Sequence, residues 1–250
     1  MSAILQAQGL SRSFAGFHAV QAVDLAVEEH SIHALIGPNG AGKTTCFNLL
    51  TRFLDPTAGR IVYAGRDITR DPAASVARRG LVRSFQISAV FPALGVLENV
   101  RLALQRGRGL SMDWWRSDRV LRRYDDAARA LLDEVGLGGW ADEPAQSLPY
   151  GRKRALELAT TLALQPRVIL LDEPMAGMGA EDIGQAAALI RRAAQGRTVL
   201  MVEHNLSVVA DLCDRITVLA RGQVLAEGGY AEVSADPRVV EAYLGRGTHA

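Results

Sequence analysis

Cysteine is nearly absent: Cys46 and Cys213 are the only two. Two thiols build no disulfide framework, and these lack the clustering and spacing of a metal site. Both read as reduced packing residues. Cys46 follows closely on the glycine-rich stretch described below, so its modification is the alternative role. Long apolar runs are also missing. None approaches the about 20 residues of a membrane helix, and the opening MSAILQAQGLSRSF lacks the charged-then-apolar order of a secretion signal. A cytosolic chain is therefore expected. Nor is there a charge excess: 28 basic residues face 27 acidic ones, a formal net charge of +1. No global field recruits nucleic acid or an anionic bilayer. Internal repeats, coiled-coil heptads and basic patches are absent too, which disfavours a nucleic-acid partner.

What is present is a chain of 250 residues, 48% of them hydrophobic, enough for one large core or a core carrying a subdomain. Its organising stretch is IHALIGPNGAGKTT, residues 32–45. The second part fits G-x-x-x-x-G-K-[ST], with Gly37, Gly40 and Gly42 freeing the backbone to bend around phosphates. Ile32, Ala34, Leu35 and Ile36 predict a short strand before it. Thr45, Phe47, Leu49 and Leu50 predict a helix after it, whose N-terminal amides face the anion. Strand, loop and helix together exclude a turn that binds nothing. The loop is expected to hold a nucleoside triphosphate: backbone amides cradle the phosphates, Lys43 reaches the outer ones and the Thr44 hydroxyl ligates Mg²⁺.

Around this loop the pattern alternates. Ile4 to Gln8 and Ala19 to Val27 predict an antiparallel β edge, joined by a polar link. Phe14 lies in that link, where its ring either stacks on a base or packs in the core. A strand over 59–64 and a helical patch over 72–79 follow, then a strand over 80–85 that ends in Gln86. From Val96 to about Leu164 the periodicity is helical, broken by a loop over 106–118 that carries Trp114 and Trp115. The segment LPYGRKRALELATTLAL begins at Leu148, with Pro149 and Gly151 before a strongly periodic helix. The strand over 168–171 ends in Asp172 and Glu173, as phosphoryl transfer requires: one carboxylate for Mg²⁺ and one for water. A helix over 181–194, a strand over 198–203, His204, a helix over 206–212, strands over 215–220 and 223–227 and a last helix over 237–244 complete the series.

In this order the motifs resemble the ATP-binding subunits of ABC transporters over nearly the whole chain. The stretches LPYG, EPMAGM, VEHN and DPRVVEAYLG are most similar to the branched-chain amino acid importer ATPases. The resemblance implies an α/β fold: a P-loop NTPase core with an antiparallel β subdomain and an inserted α-helical subdomain. It places the core and β subdomain at about 1–86 and 166–235, the helical signature subdomain at about 87–165 and a helical tail at about 236–250. It assigns Phe14 to adenine stacking, and Gly37, Pro38, Asn39, Gly40, Ala41, Gly42, Lys43, Thr44 and Thr45 to the Walker A loop. Gln86 becomes the Q-loop glutamine that touches Mg²⁺ and water, Asp172 the Walker B metal ligand, Glu173 the general base and His204 the switch histidine. Leu148, Pro149, Tyr150, Gly151 and Arg152 occupy the signature that closes on the ATP of an opposing subunit.

Two departures stand out. Pro149 replaces the family serine and has neither hydroxyl nor N–H to offer, while Tyr150 replaces a glycine. Met178-Gly179 replaces the usual Leu-Asp of the D-loop. Both point to unequal sites in a heterodimer with a related cassette. The implied cofactors are ATP and Mg²⁺. The implied partners are that second ATPase subunit, two transmembrane permeases and, indirectly, a periplasmic solute-binding protein, with no nucleic acid, at the cytoplasmic face of the inner membrane. Implied cargo is a branched-chain or related amino acid, with urea, amides or aromatic acids as rivals. Two alternatives stay open: a non-transport ABC ATPase acting on nucleic acid or chromosomes, which should show long coiled-coil heptads, a second cassette or basic patches that this chain lacks, and a solitary P-loop kinase, which leaves the glycine turn at Gly151 unexplained.

Overall fold

A computed structural model describes residues 2–84, 90–107 and 122–244. Two sheets carry the fold. The first is antiparallel, in the order β2-β1-β4-β5, from β1 (Ala3–Phe14), β2 (Phe17–Glu28), β4 (Ala58–Tyr63) and β5 (Arg66–Asp67). The second runs β10-β9-β3-β8-β7-β6, from β3 (Ile32–Ile36), β6 (Leu81–Ser84), β7 (Val168–Asp172), β8 (Thr198–Val202), β9 (Arg215–Ala220) and β10 (Gln223–Gly228). Strands β9, β3, β8, β7 and β6 pair in parallel, and β10 closes the edge antiparallel to β9.

The central strands read IHALI, VILLD and TVLMV because both of their faces are covered. Side chains alternate across the sheet with period two, so one strand feeds two cores. Ile169 and Leu171 of β7 join the core under the helical layer. Val168 and Leu170 join the core that Phe47, Leu49 and Leu50 share with the antiparallel sheet. The helices are α1 (Lys43–Leu50), α2 (Ala73–Arg78), α3 (Val96–Gly107), α4 (Asp125–Glu134), α5 (Tyr150–Leu162), α6 (Ala180–Ala193), α7 (Leu206–Leu212), α8 (Tyr230–Ala235) and α9 (Pro237–Leu244). None among the described residues is long and apolar enough to cross a membrane.

The elements correct the sequence reading in several places. Strand β1 does not stop at Gln8 but continues to Phe14, so the polar link shrinks to Ala15 and Gly16. Register shifts at Ala7/Leu10 and Leu10/Arg12 keep the strand paired while breaking the apolar alternation that would have shown it. The helix α8 also goes unseen in the sequence, because six residues give too few turns for a periodic signal. Trp114 and Trp115 lie outside the described residues.

Candidate functional site

Strands β3, β7 and β8 are parallel neighbours, so the segments leaving their C-terminal ends meet at one rim of the sheet. Three of the sequence motifs leave from there. The loop after β3 turns at Gly37, Gly40 and Gly42, all at positive φ. A side chain at Gly37 would collide with the carbonyl oxygen of Leu219, and one at Gly42 with that of Ala19. Glycine therefore seats this loop directly on the ends of β9 and β2. The Gly222 amide donates to the Ala41 carbonyl at 3.0 Å and fastens it from the far side.

Inside the loop the Lys43 ammonium is buried and donates to the carbonyls of Gly37 at 2.7 Å and Pro38 at 3.0 Å. Helix α1 begins at Lys43 with Gly42 as its N-cap and no side-chain cap, so no side chain of the N-cap competes for its leading amides. A buried cation, uncapped amides and glycines without Cβ form a cradle that suits a polyanion such as a triphosphate. Pro38, Asn39 and Gly40 form its outer lip. Thr44 stands exposed at the head of α1, and Thr45 is half-buried behind it.

At the end of β7, Asp172 is largely buried and ion-paired with Arg83 of β6, which also reaches Asn48 of α1. The hydroxyl of Thr44 and the carboxylate of Asp172 are hard oxygen donors of the kind Mg²⁺ takes. No cluster of three or more His, Cys, Asp or Glu side chains occurs among the described residues, so a dedicated all-protein metal cage is not built there. An Mg²⁺ ion that arrives with phosphate oxygens and water fits such a sparse donor set. Gln86, the other expected metal contact, lies outside the described residues.

Glu173 has φ +47, a left-handed conformation that non-glycine residues rarely hold and that costs about 1 kcal/mol or more. Its amide donates to the Val202 carbonyl at 2.9 Å, and its carboxylate meets Nε2 of His204 at 2.7 Å. Both side chains are partly open to solvent. The motifs after β7 and β8 are thus in direct contact.

Sequence reasoning missed the group that holds this contact in place. Glu203 is buried, and its carboxylate accepts from three amides: Met175 at 3.0 Å, His204 at 2.7 Å and Asn205 at 3.0 Å. It clamps the loop after Glu173 to the loop that carries His204. A signal was available, since an acidic residue closes the otherwise apolar run TVLMV. Arg83 was missed in the same way, as a lone cation in an apolar strand. Tyr243 of α9 packs against the core that includes Ile36 and Ile216, and its burial raises the phenol above its ordinary value.

The remaining predicted residues lie apart. Phe14 ends β1 at the tip of the antiparallel sheet, 41% exposed, with the Arg12 guanidinium 4.7 Å over its ring. It is therefore available for stacking rather than packed in the core. Leu148 is buried, Pro149 caps α5 without a side-chain bond, and Gly151 and Arg152 fall inside the helix rather than before it. Arg152 stacks on Trp140 at 4.0 Å. The Tyr150 hydroxyl turns to its own chain, donating to the Ala176 carbonyl at 2.8 Å. The two cysteines are inert by burial, which pushes both thiols up to about 12.

A parallel sheet whose rim gathers a lysine-bearing phosphate cradle, an Asp-Glu pair and a histidine defines a P-loop nucleotide-binding domain. Comparison narrows this. Residues 20–176 match the family model described as ABC transporter, and residues 223–249 match that of a branched-chain amino acid ATP-binding cassette transporter. The chain is 38% identical to the high-affinity branched-chain amino acid transport ATP-binding protein BraF of Pseudomonas aeruginosa, over 97% of this chain and 98% of that one. It is 33% identical, over the same shares, to the lipopolysaccharide export system ATP-binding protein LptB of Escherichia coli. Among solved structures it resembles the ADP conformation of an ATP-binding cassette from an ABC transporter, with a TM-score of 0.84 and 28% identity over 98% of this chain and 100% of that one. The chain belongs to the ABC transporter family, as an ATP-hydrolysing cassette.

Proposed function

We propose that this cassette powers an importer of branched-chain or related amino acids, with ATP-driven closure of two cassettes moving a pair of permeases at the cytoplasmic face of the membrane. The observation that carries the ATPase chemistry is the meeting of the Lys43 loop, Asp172 and the Glu173–His204 pair at one rim of the sheet. The cargo reading rests on the match of residues 223–249 and on the amino acid transporters at 38% identity, against 33% for the lipopolysaccharide exporter. Urea, amides and aromatic acids are the alternative cargoes.

Each residue then has a task. Lys43 and the amides of residues 37–45 bind and orient the triphosphate, and Phe14 stacks on the adenine. Thr44, Asp172 and Gln86 would hold Mg²⁺, which would balance phosphate charge. Glu173 accepts a hydrogen bond from the attacking water and takes its proton as the new P–O bond forms and the bond from the γ-phosphorus to the β–γ bridging oxygen breaks, with ADP as the leaving group. His204 meets that carboxylate through Nε2 and, with ATP bound, turns the same N–H to the γ-phosphate. Glu203 keeps the two loops at this spacing. Leu148 to Arg152 close on the ATP of the second cassette, and a solute-binding protein delivers cargo to the permeases.

Replacing Glu173 by Gln tests the assignment. ATP binding by calorimetry should persist while hydrolysis falls about 10²-fold or more; turnover at the wild-type rate would overturn it. Loss of leucine, isoleucine and valine uptake in a deletion strain is the expected result for the cargo, and intact uptake of all three would refute it.

A further inference from the structure

Among the signature residues, Tyr150 is the one whose side chain hydrogen-bonds the loop after β7. It is the first residue of α5, and its ring is half exposed, so packing does not explain it. A phenylalanine would fill the same surface as well. The hydroxyl, by contrast, is used in both directions: it donates to the Ala176 carbonyl at 2.8 Å and accepts from Nη2 of Arg154 at 3.0 Å. Arg154 lies one turn further along α5 and is itself held by Glu157 at 2.9 Å. The far end of the link is equally short of slack. Ala176 donates its amide to the Glu173 carbonyl at 3.0 Å, in the turn that opens at the left-handed Glu173. Pro149 at the N-cap makes no side-chain cap bond, and the stack of Arg152 on Trp140 at 4.0 Å holds the helix start to a different segment.

We infer that Tyr150 is a positioning residue that locks the start of α5 to the loop after β7, so that the signature offered to the second cassette and the loop bearing Glu173 move as one body. This rests on the reading of the chain as one of two cooperating cassettes. With Pro149 supplying no hydroxyl and no N–H, the signature has only backbone amides and the helix end to present, and these act only if the helix start is held in direction. Tyr150 supplies that hold through the same chain's Ala176. A movement of the signature toward ATP on the partner is thereby transmitted to Glu173.

Tyr150→Phe removes the hydroxyl and keeps the ring. In the assembled transporter, kcat should fall about fivefold with KM for ATP unchanged, the loss of one hydrogen bond between loops. Amide hydrogen exchange over residues 174–179 should quicken in the isolated chain, with the unfolding midpoint unmoved. Unchanged exchange or unchanged kcat would overturn the inference, as would a variant whose only defect is a lower unfolding midpoint. Absence of ATP hydrolysis by the wild-type transporter would instead count against the functional reading, leaving the exchange result to judge the link.

Discussion

Lys43 is the residue on which nucleotide affinity should turn most directly. Its ammonium is buried between two loop carbonyls, so truncation removes both the cation facing the phosphates and the bonds that shape the loop. Lys43→Ala is expected to weaken ATP binding by about 10- to 100-fold, the worth of a charge-assisted hydrogen bond; calorimetry decides, and unchanged affinity would refute the role. A second residue governs acid stability. His33 of β3 meets the Thr217 hydroxyl of β9 at 2.8 Å, and burial, aided by Arg215, lowers its value from 6.5 to about 4. Below pH 6.5 the unfolded chain takes up a proton that the native chain refuses. Stability should therefore fall as pH drops from 6.5 toward 4, by about 3 kcal/mol from this one site. His33→Gln should flatten that slope in denaturant titrations at pH 7 and pH 4.5, and an unaltered slope would exclude His33 as its source.

At the scale of elements, the pairing of β6 with β7 brings Arg83 against Asp172, both largely buried. The carboxylate proposed to bind Mg²⁺ is thus held by an internal cation, and removing that cation strands it buried and unpaired. Arg83→Met should destabilise the chain by about 3 kcal/mol, and Mg²⁺ with ATP should restore part of the loss by supplying positive charge at the same carboxylate. Thermal melts with and without Mg-ATP test this, and equal losses in both would show that the ion and Arg83 do not share Asp172. Elements were also where the sequence spoke most clearly. The runs IHALI, VILLD and TVLMV announce strands buried on both faces, and the glycine loop announces its own helix. Contacts between elements left no such mark: Glu203, just past β8, binds Met175 in the loop after β7, and Tyr150 of α5 finds Ala176 in that same loop. Period and propensity report a residue's own segment, whereas these bonds depend on how segments are stacked. Phe14 shows the same limit in reverse, since register shifts hid the strand that carries it to the sheet tip.

At the scale of the whole molecule, the rim at β3, β7 and β8 holds a cradle, an Asp-Glu pair and a histidine, while the signature at the head of α5 is tied to the loop after β7 of its own chain. Such a chain offers one half-site at the loop and a different half-site at the signature. On the function proposed above, two cassettes meeting head to tail would complete both at once, and association would be part of turnover. Pro149 weakens what this chain gives to its partner, because a proline at the N-cap withholds both the hydroxyl and the amide that an anion could use. Pro149→Ser restores both. In a Glu173→Gln background, where bound ATP persists, that change should tighten the ATP-dependent complex with the second cassette of the transporter by about 10-fold, one or two added hydrogen bonds to phosphate. Sedimentation of the co-expressed pair across an ATP titration measures it. A complex no tighter than that of the Glu173→Gln chain alone would mean that position 149 does not face the partner's nucleotide.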